Sequence, residues 1–269
     1  MGIFTLPFTD YDLAATLDCG QCFNFDLTED GTWQGVAKGR FLTLKQIGDR
    51  IEYEGCPEDE FPEVFVHYFA MDEDYTGIKE LLSQDPVLRD AIGYCPGIRI
   101  MNQDLWEATL CFIISQNNNI PRIKGIIRRL RENWGSDTGS GYKLFPTPEE
   151  LCDLSEEDLS VLRCGYRSPY ILDCADRFHR GAVDEDIIRN GGLNEARDEL
   201  RKIKGIGPKV ADCTLLFGAH RLDAFPVDVW MKRCINTLYP GGLPEFIKPY
   251  AGIAQQYLFH YSRTSGIFS

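Results

Sequence analysis

Apolar positions recur with two different periods along this chain. Over Trp33 to Ala37, Phe41 to Ile47 and Arg50 to Glu54 they alternate in part, and Gly31, Gly39 and Gly48-Asp49 punctuate the runs. Partial alternation broken by glycine turns predicts a meander-like antiparallel sheet. From Glu60 the period changes. Phe61, Val64, Phe65, Tyr68 and Phe69 recur at helical spacing, and Ile78, Leu81 and Leu82 do so again. An antiparallel α+β domain over residues 1–97 is therefore expected, ending at Pro96-Gly97. Residues 98–269 then read as helical. Leu105 to Ser115 is an apolar run that fits a buried helix, while Ile120 to Trp134 puts Ile123, Ile126, Ile127 and Leu130 on one face and basic residues on the other. Gly135 to Tyr142 is a polar loop, and Thr147-Pro148 reads as a helix cap followed by proline at the first helical position. Shorter helices are expected over Leu159 to Arg163 and Tyr170 to Arg180, separated by Gly165 and Pro169, and no internal repeat of fixed period is present. The fold class expected is α+β: a sheet domain with helices, followed by an all-helical region.

Composition narrows the setting. The chain has 269 residues, 43% of them hydrophobic, which is enough to bury a substantial core and argues against disorder. No run approaches the ~18 apolar residues of a membrane span, and Met1-Gly2-Ile3-Phe4 lacks the basic start and apolar stretch of a secretion signal. An intracellular protein with no membrane partner is expected, in a bacterial cytoplasm or a nucleus. The ten cysteines then read as reduced, mostly buried thiols. Cys19 and Cys22 form one Cys-x-x-Cys pair, but the four histidines are scattered and no cluster completes a zinc or iron–sulfur site. Neither metal nor cofactor is expected.

Net charge is −13, which at first argues against nucleic acid. Its distribution removes the objection. Residues 1–97 hold 6 Lys/Arg and 19 Asp/Glu, whereas residues 98–269 hold 22 of each sign. Within the second half, residues 98–134 and 197–233 each carry a surplus of three positive charges. A polyanion can bind that half while the acidic domain points away.

The chemistry concentrates near residues 200–213, where Gly205-Ile206-Gly207-Pro208 turns a charged helix into an apolar one. Glycines permit a tight turn and a close backbone approach, and amides at a helix start suit a phosphate. Lys209 to Cys213 follows, and after a helix-length gap comes Phe225-Pro226-Val227-Asp228-Val229. This combination resembles the helix-hairpin-helix (HhH-GPD) DNA glycosylases, and a lysine just after the hairpin resembles their bifunctional glycosylase/lyase branch. Four further blocks, Asp18 to Phe23, Ser115 to Ile123, Gly165 to Arg167 and Ala254 to Phe259, stand in the order found in the 8-oxoguanine DNA glycosylases. The resemblance spans about residues 6–261.

The resemblance implies a base-excision repair enzyme, a monomer, acting on double-stranded DNA with oxidised guanine opposite cytosine. It implies that Lys209 attacks C1′ and forms a Schiff base, and that Asp228 stabilises positive charge on the sugar. An amine attacks only when neutral, and burial beside the positive end of a helix disfavours the ammonium form. By the same resemblance, Gly20 takes the position whose carbonyl accepts from N7–H, the donor that 8-oxoguanine has and guanine lacks. Gln255 reads the Watson–Crick edge, and Phe259, four residues on, stacks on the base. Cys213 forms the other wall, as a neutral thiol or as a thiolate paired with Lys209. On the opposite strand, Asn117 fills the vacated space, Tyr166 is the wedge, and Arg122 with Arg167 donates to the adjacent acceptors of cytosine. Gly205, Gly207 and Val210 form the phosphate-binding hairpin, and a C-terminal helix over 245–262 packs back on the pocket. Two positions depart from the pattern. Lys204 adds a charge to the hairpin, and Trp230 stands where animal members commonly have a phosphate-binding histidine. An alkylated-base glycosylase on the same fold would need neither Lys209 nor Gly20, and a non-catalytic hairpin module would give no reason for Lys209, Asp228, Gln255 and Phe259 to coexist.

Overall fold

The computed structural model describes residues 1–267. Five strands, Gly2–Thr5 (β1), Phe25–Leu27 (β2), Trp33–Ala37 (β3), Arg40–Ile47 (β4) and Arg50–Glu54 (β5), form one antiparallel sheet in the order β1-β5-β4-β3-β2. Trp33 lies opposite Leu44, and Leu44 opposite Tyr53, so the apolar alternation of the sequence becomes one buried face. That face packs on Leu13 and Leu17 of helix α1 (Leu13–Asp18), and on Phe61, Phe65 and Phe69 around the short helical segment Phe61–Phe65 and Val66–Tyr68. Asp12 caps α1, accepting from the Ala15 amide at 2.8 Å.

The rest is helical: Thr76–Leu82 (α2), Pro86–Tyr94 (α3), Leu105–Ser115 (α4), Ile120–Trp134 (α5), Pro148–Cys152 (α6), Ser168–His179 (α7), Glu185–Asn190 (α8), Leu193–Leu200 (α9), Pro208–Gly218 (α10), Val229–Leu238 (α11) and Ala251–Thr264 (α12). The architecture is the expected α+β arrangement. Helix α4 is buried from Glu107 to Ile114, as an all-round apolar sequence requires, and packs closely on α10. α6 begins with a full capping box between Thr147 and Glu150.

Three boundaries differ from the expectation. Pro169 does not separate helices but sits in the first turn of α7, where a missing N–H removes no intrahelical bond. The segment expected as a helix over Leu159 to Arg163 is a 3-10 turn, Asp158–Leu162, ended by Arg163 at φ +53°. The span expected as one helix over 245–262 divides into a 3-10 segment, Glu245–Tyr250, that contains Pro249, and the regular helix α12. Among the described residues no helix is long and apolar enough to cross a membrane.

Two hydrophobic cores result. One lies behind the sheet and closes with Met71 and Met101. The other is helical and takes in Tyr75, Leu82, Leu88 and Ile92 from α2, α3 and their approach, with α3 packed on α12. The first and last helices of that core thus come from opposite ends of the chain.

Candidate active site

The hairpin between α9 and α10 is built on one special backbone position. Gly205 has φ +85°, and a Cβ there would lie 2.4 Å from the Tyr170 ring. The turn is anchored by Asp173, whose carboxylate accepts from the Lys204 amide at 2.7 Å and from Arg177 Nε at 2.9 Å. Gly207 caps α10 without a side chain, and Pro208 opens the helix. The first intrahelical bond runs from the Ala211 amide to the Gly207 carbonyl at 3.0 Å. The amides of Lys209 and Val210 therefore have no acceptor within the helix.

Lys209 is half-buried one residue into α10, its Nζ 5.4 Å from the centre of the Phe112 ring. Cys213, one turn later and buried, lines the same cavity and feels the Lys209 charge. Burial pushes the Cys213 thiol above its ordinary pKa, and the nearby Lys209 only partly offsets this. Of the two forms open to this side chain, burial favours the neutral thiol. Asp228 caps α11, its Oδ1 accepting from the Met231 amide at 2.7 Å.

Helix α12 closes the site. Gln255 and Phe259 face a cavity of about 50 Å³ together with Gly20, Lys209, Cys213 and Asp228. That volume holds a few waters. Gln255 is 5% exposed, and its Oε1 receives no hydrogen bond from the described residues. A buried acceptor left in this way costs about 1–3 kcal/mol, which a ligand donor would recover. Next to it, Gln256 Nε2 donates to the Cys19 carbonyl at 3.0 Å. Gln21 holds the same turn from the other side, donating to the carbonyls of Thr16 (2.9 Å) and Arg99 (2.7 Å). Gly20, at φ +86°, is thus fixed between two glutamine clamps, 3.7 Å (measured from an added Cβ) from the Phe259 ring.

An open groove of about 690 Å³ adjoins the cavity, sharing Gly20, Phe112, Lys209, Asp228 and Phe259, and runs past Asn117 and Tyr166. Asn117 adopts φ +47°, and Tyr166 is 52% exposed.

Two stretches of the chain match described families. Residues 3–109 match the 8-oxoguanine DNA glycosylase N-terminal domain, and residues 110–242 the HhH-GPD superfamily base excision DNA repair protein. A solved Clostridium acetobutylicum 8-oxoguanine glycosylase/lyase, in complex with double-stranded DNA containing cytosine opposite 8-oxoG, is 35% identical at a TM-score of 0.89, covering 99% of each chain. The chain belongs to the 8-oxoguanine DNA glycosylases. A probable N-glycosylase/DNA lyase of Methanothermobacter thermautotrophicus is 28% identical over 97% of this chain and 96% of its own. The N-glycosylase/DNA lyase OGG1 of Arabidopsis thaliana is 28% identical over 97% of this chain and 76% of its own.

In this 8-oxoguanine DNA glycosylase fold, the residues singled out by sequence fall into three groups. Lys209, Asp228, Gly20, Cys213, Gln255 and Phe259 surround the cavity. Asn117, Tyr166, Gly207 and Val210 line the groove. Arg122, Arg167 and Gly205 lie outside both. Arg122 is exposed at the first turn of α5. Arg167 is buried, donating to the carbonyls of Gln116 (Nε, 3.1 Å), Cys164 (Nη1, 2.9 Å) and Asn117 (Nη2, 3.2 Å). It stands behind the Asn117 turn rather than in front of it. Trp230 gives its indole N–H to Ser262 Oγ at 2.9 Å, joining α11 to α12. Phe112 and Gln256 were not legible as site residues. Phe112 is one apolar residue in an apolar helix, but Gln256 left a trace, a second amide side chain beside Gln255. Among the described residues no cluster of three or more His, Cys, Asp or Glu could hold a metal ion.

Proposed function

We propose that this chain removes 8-oxoguanine opposite cytosine in duplex DNA through a Schiff base on Lys209 and then cuts the strand by β-elimination. It acts as a monomer on DNA inside the cell. The observation that carries the reading is the convergence of Lys209, Asp228, Cys213, Gln255 and Phe259 on one cavity, with Gln255 Oε1 lacking a donor. The damaged nucleotide leaves the stack and its base enters between Phe259 and Cys213. The Gly20 carbonyl accepts from N7–H, and Gln255 from the base edge. The Lys209 amine bonds to C1′ as the C1′–N9 bond breaks, and the base leaves with the electron pair and takes up a proton. Asp228 stabilises the positive charge that develops on the sugar. The sugar ring opens to an imine on Lys209. Loss of a C2′ proton then expels the 3′ phosphate, and water frees the lysine.

Borohydride trapping on a duplex with one 8-oxoguanine opposite cytosine tests the reading. Wild-type protein should form a covalent adduct, release the base and nick the strand. Lys209→Gln should do none of these while still binding the duplex. An adduct formed by Lys209→Gln would place the nucleophile elsewhere.

A further inference from the structure

The groove must accept a polyanion, yet among the described residues its lining contains only two cationic side chains, Lys209 and Arg263. Lys209 attacks as the neutral amine, so at the reactive moment it cannot neutralise a phosphate. Arginine stays charged throughout. Arg263 lies one turn beyond Phe259 on α12, and its guanidinium is 5.1 Å from the centre of the Phe259 ring. Phe259 lines both cavity and groove, whereas Arg263 lines the groove alone, so the ring separates the cavity from the cation. The side chain is exposed, and none of the described ion pairs includes it. Its neighbour Ser262 is tied to Trp230 two residues past Asp228, which holds the start of α11 and the end of α12 together at the groove wall.

We propose that Arg263 binds a backbone phosphate of the damaged strand beside the extruded nucleotide and, through its contact with Phe259, holds that ring over the base. The proposal rests on the reading that this groove takes lesion DNA. It assigns Arg263 two contacts at once, one to phosphate oxygen and one to the outer side of the stacking ring. The first is electrostatic and obeys counterion release; the second requires only a flat, packed group.

The two contacts separate in a salt titration. Kd would be measured across a range of KCl concentrations for a duplex carrying a tetrahydrofuran abasic analogue opposite cytosine, which has no base to stack. For Arg263→Gln, the slope of log affinity against log salt should fall by ~0.9, the loss of one phosphate contact. Arg263→Lys should keep the slope and lose part of the 8-oxoguanine excision rate, because ammonium replaces the charge but not the planar stack. An unchanged slope for Arg263→Gln overturns the proposal, even if excision falls, since Arg263 would then only support Phe259. Failure of the wild type to cleave an 8-oxoguanine duplex would instead overturn the functional reading beneath it.

Discussion

Glu107 sits on α4 with 6% of its surface exposed, accepting a hydrogen bond from Asn24 and facing the buried Arg131. Burial pushes its carboxyl up to about 8, from an ordinary value of 4.5. Between those two values the folded chain keeps a proton that the unfolded chain has released, so stability falls as pH rises and the loss is complete above about 8. Thermal unfolding of the wild type should therefore show a Tm that declines from about pH 5 to 8. Glu107→Gln should flatten the decline and raise Tm at the alkaline end. A wild-type Tm that is level over this window would contradict the assignment. Arg122 poses a different question at the same scale. It is exposed and free to reach the opposite strand, whereas Arg167 must first release three backbone carbonyls. Each charged hydrogen bond lost to a mismatched partner is worth ~1.5–3 kcal/mol, and two amount to roughly 10²-fold or more. Single-turnover excision should be faster opposite cytosine than opposite adenine by that order, and Arg122→Ala should narrow the gap. Equal wild-type rates on the two duplexes would remove the arginines from base reading. Lys209, Asp228 and Gly20 were legible because they fall in blocks that match the 8-oxoguanine DNA glycosylases in order. The packing of Arg167 was not, since a carbonyl fifty residues away leaves no mark on the sequence around an arginine.

The two hairpin glycines are needed for different reasons, and the difference can be measured. Gly205 combines φ +85° with a Cβ position inside the Tyr170 ring, so Gly205→Ala must move that ring or the turn. A loss of about 1–3 kcal/mol is expected, read as a lower Tm together with weaker DNA binding. Gly207 has an ordinary φ of −93° and open space where a Cβ would be. On the proposed function, Gly207→Ala should fold with an unchanged Tm and still bind DNA more weakly, because the added methyl would enter open space beside the free amides that would take a phosphate. Equal Tm losses for both would mean that Gly207, too, is held by the fold and not by the ligand. Among the elements, β3, β4 and β5 could be read from alternation bounded by glycine. β1 and β2 were missed because four and three residues are too few to show a period. The division of the 245–262 span at Pro249 was missed because α12 was placed through its match to known blocks rather than through its own backbone limits.

At the scale of the whole molecule, the acidic N-terminal third and the neutral helical region are bound by contacts that ignore the charge boundary. Arg99, 1% exposed, donates to Asp10 at 2.9 Å and lies 4.5 Å from the centre of the Tyr75 ring, linking both cores. Gln256 and Gln21 add a second link through the Cys19–Gly20 turn. The site is therefore assembled from the beginning, the middle and the far end of the sequence: Gly20, then Lys209 and Asp228, then Gln255 and Phe259. During synthesis a nascent chain would have made its hairpin and Lys209 while α12 was still inside the ribosome. Until that helix docks, the Cys19–Gly20 turn lacks the Gln256 hydrogen bond and the cavity lacks the wall made by Gln255 and Phe259. The order of elements thus makes the closed cavity the last part of the site to form, and a protease that removes α12 would open it first.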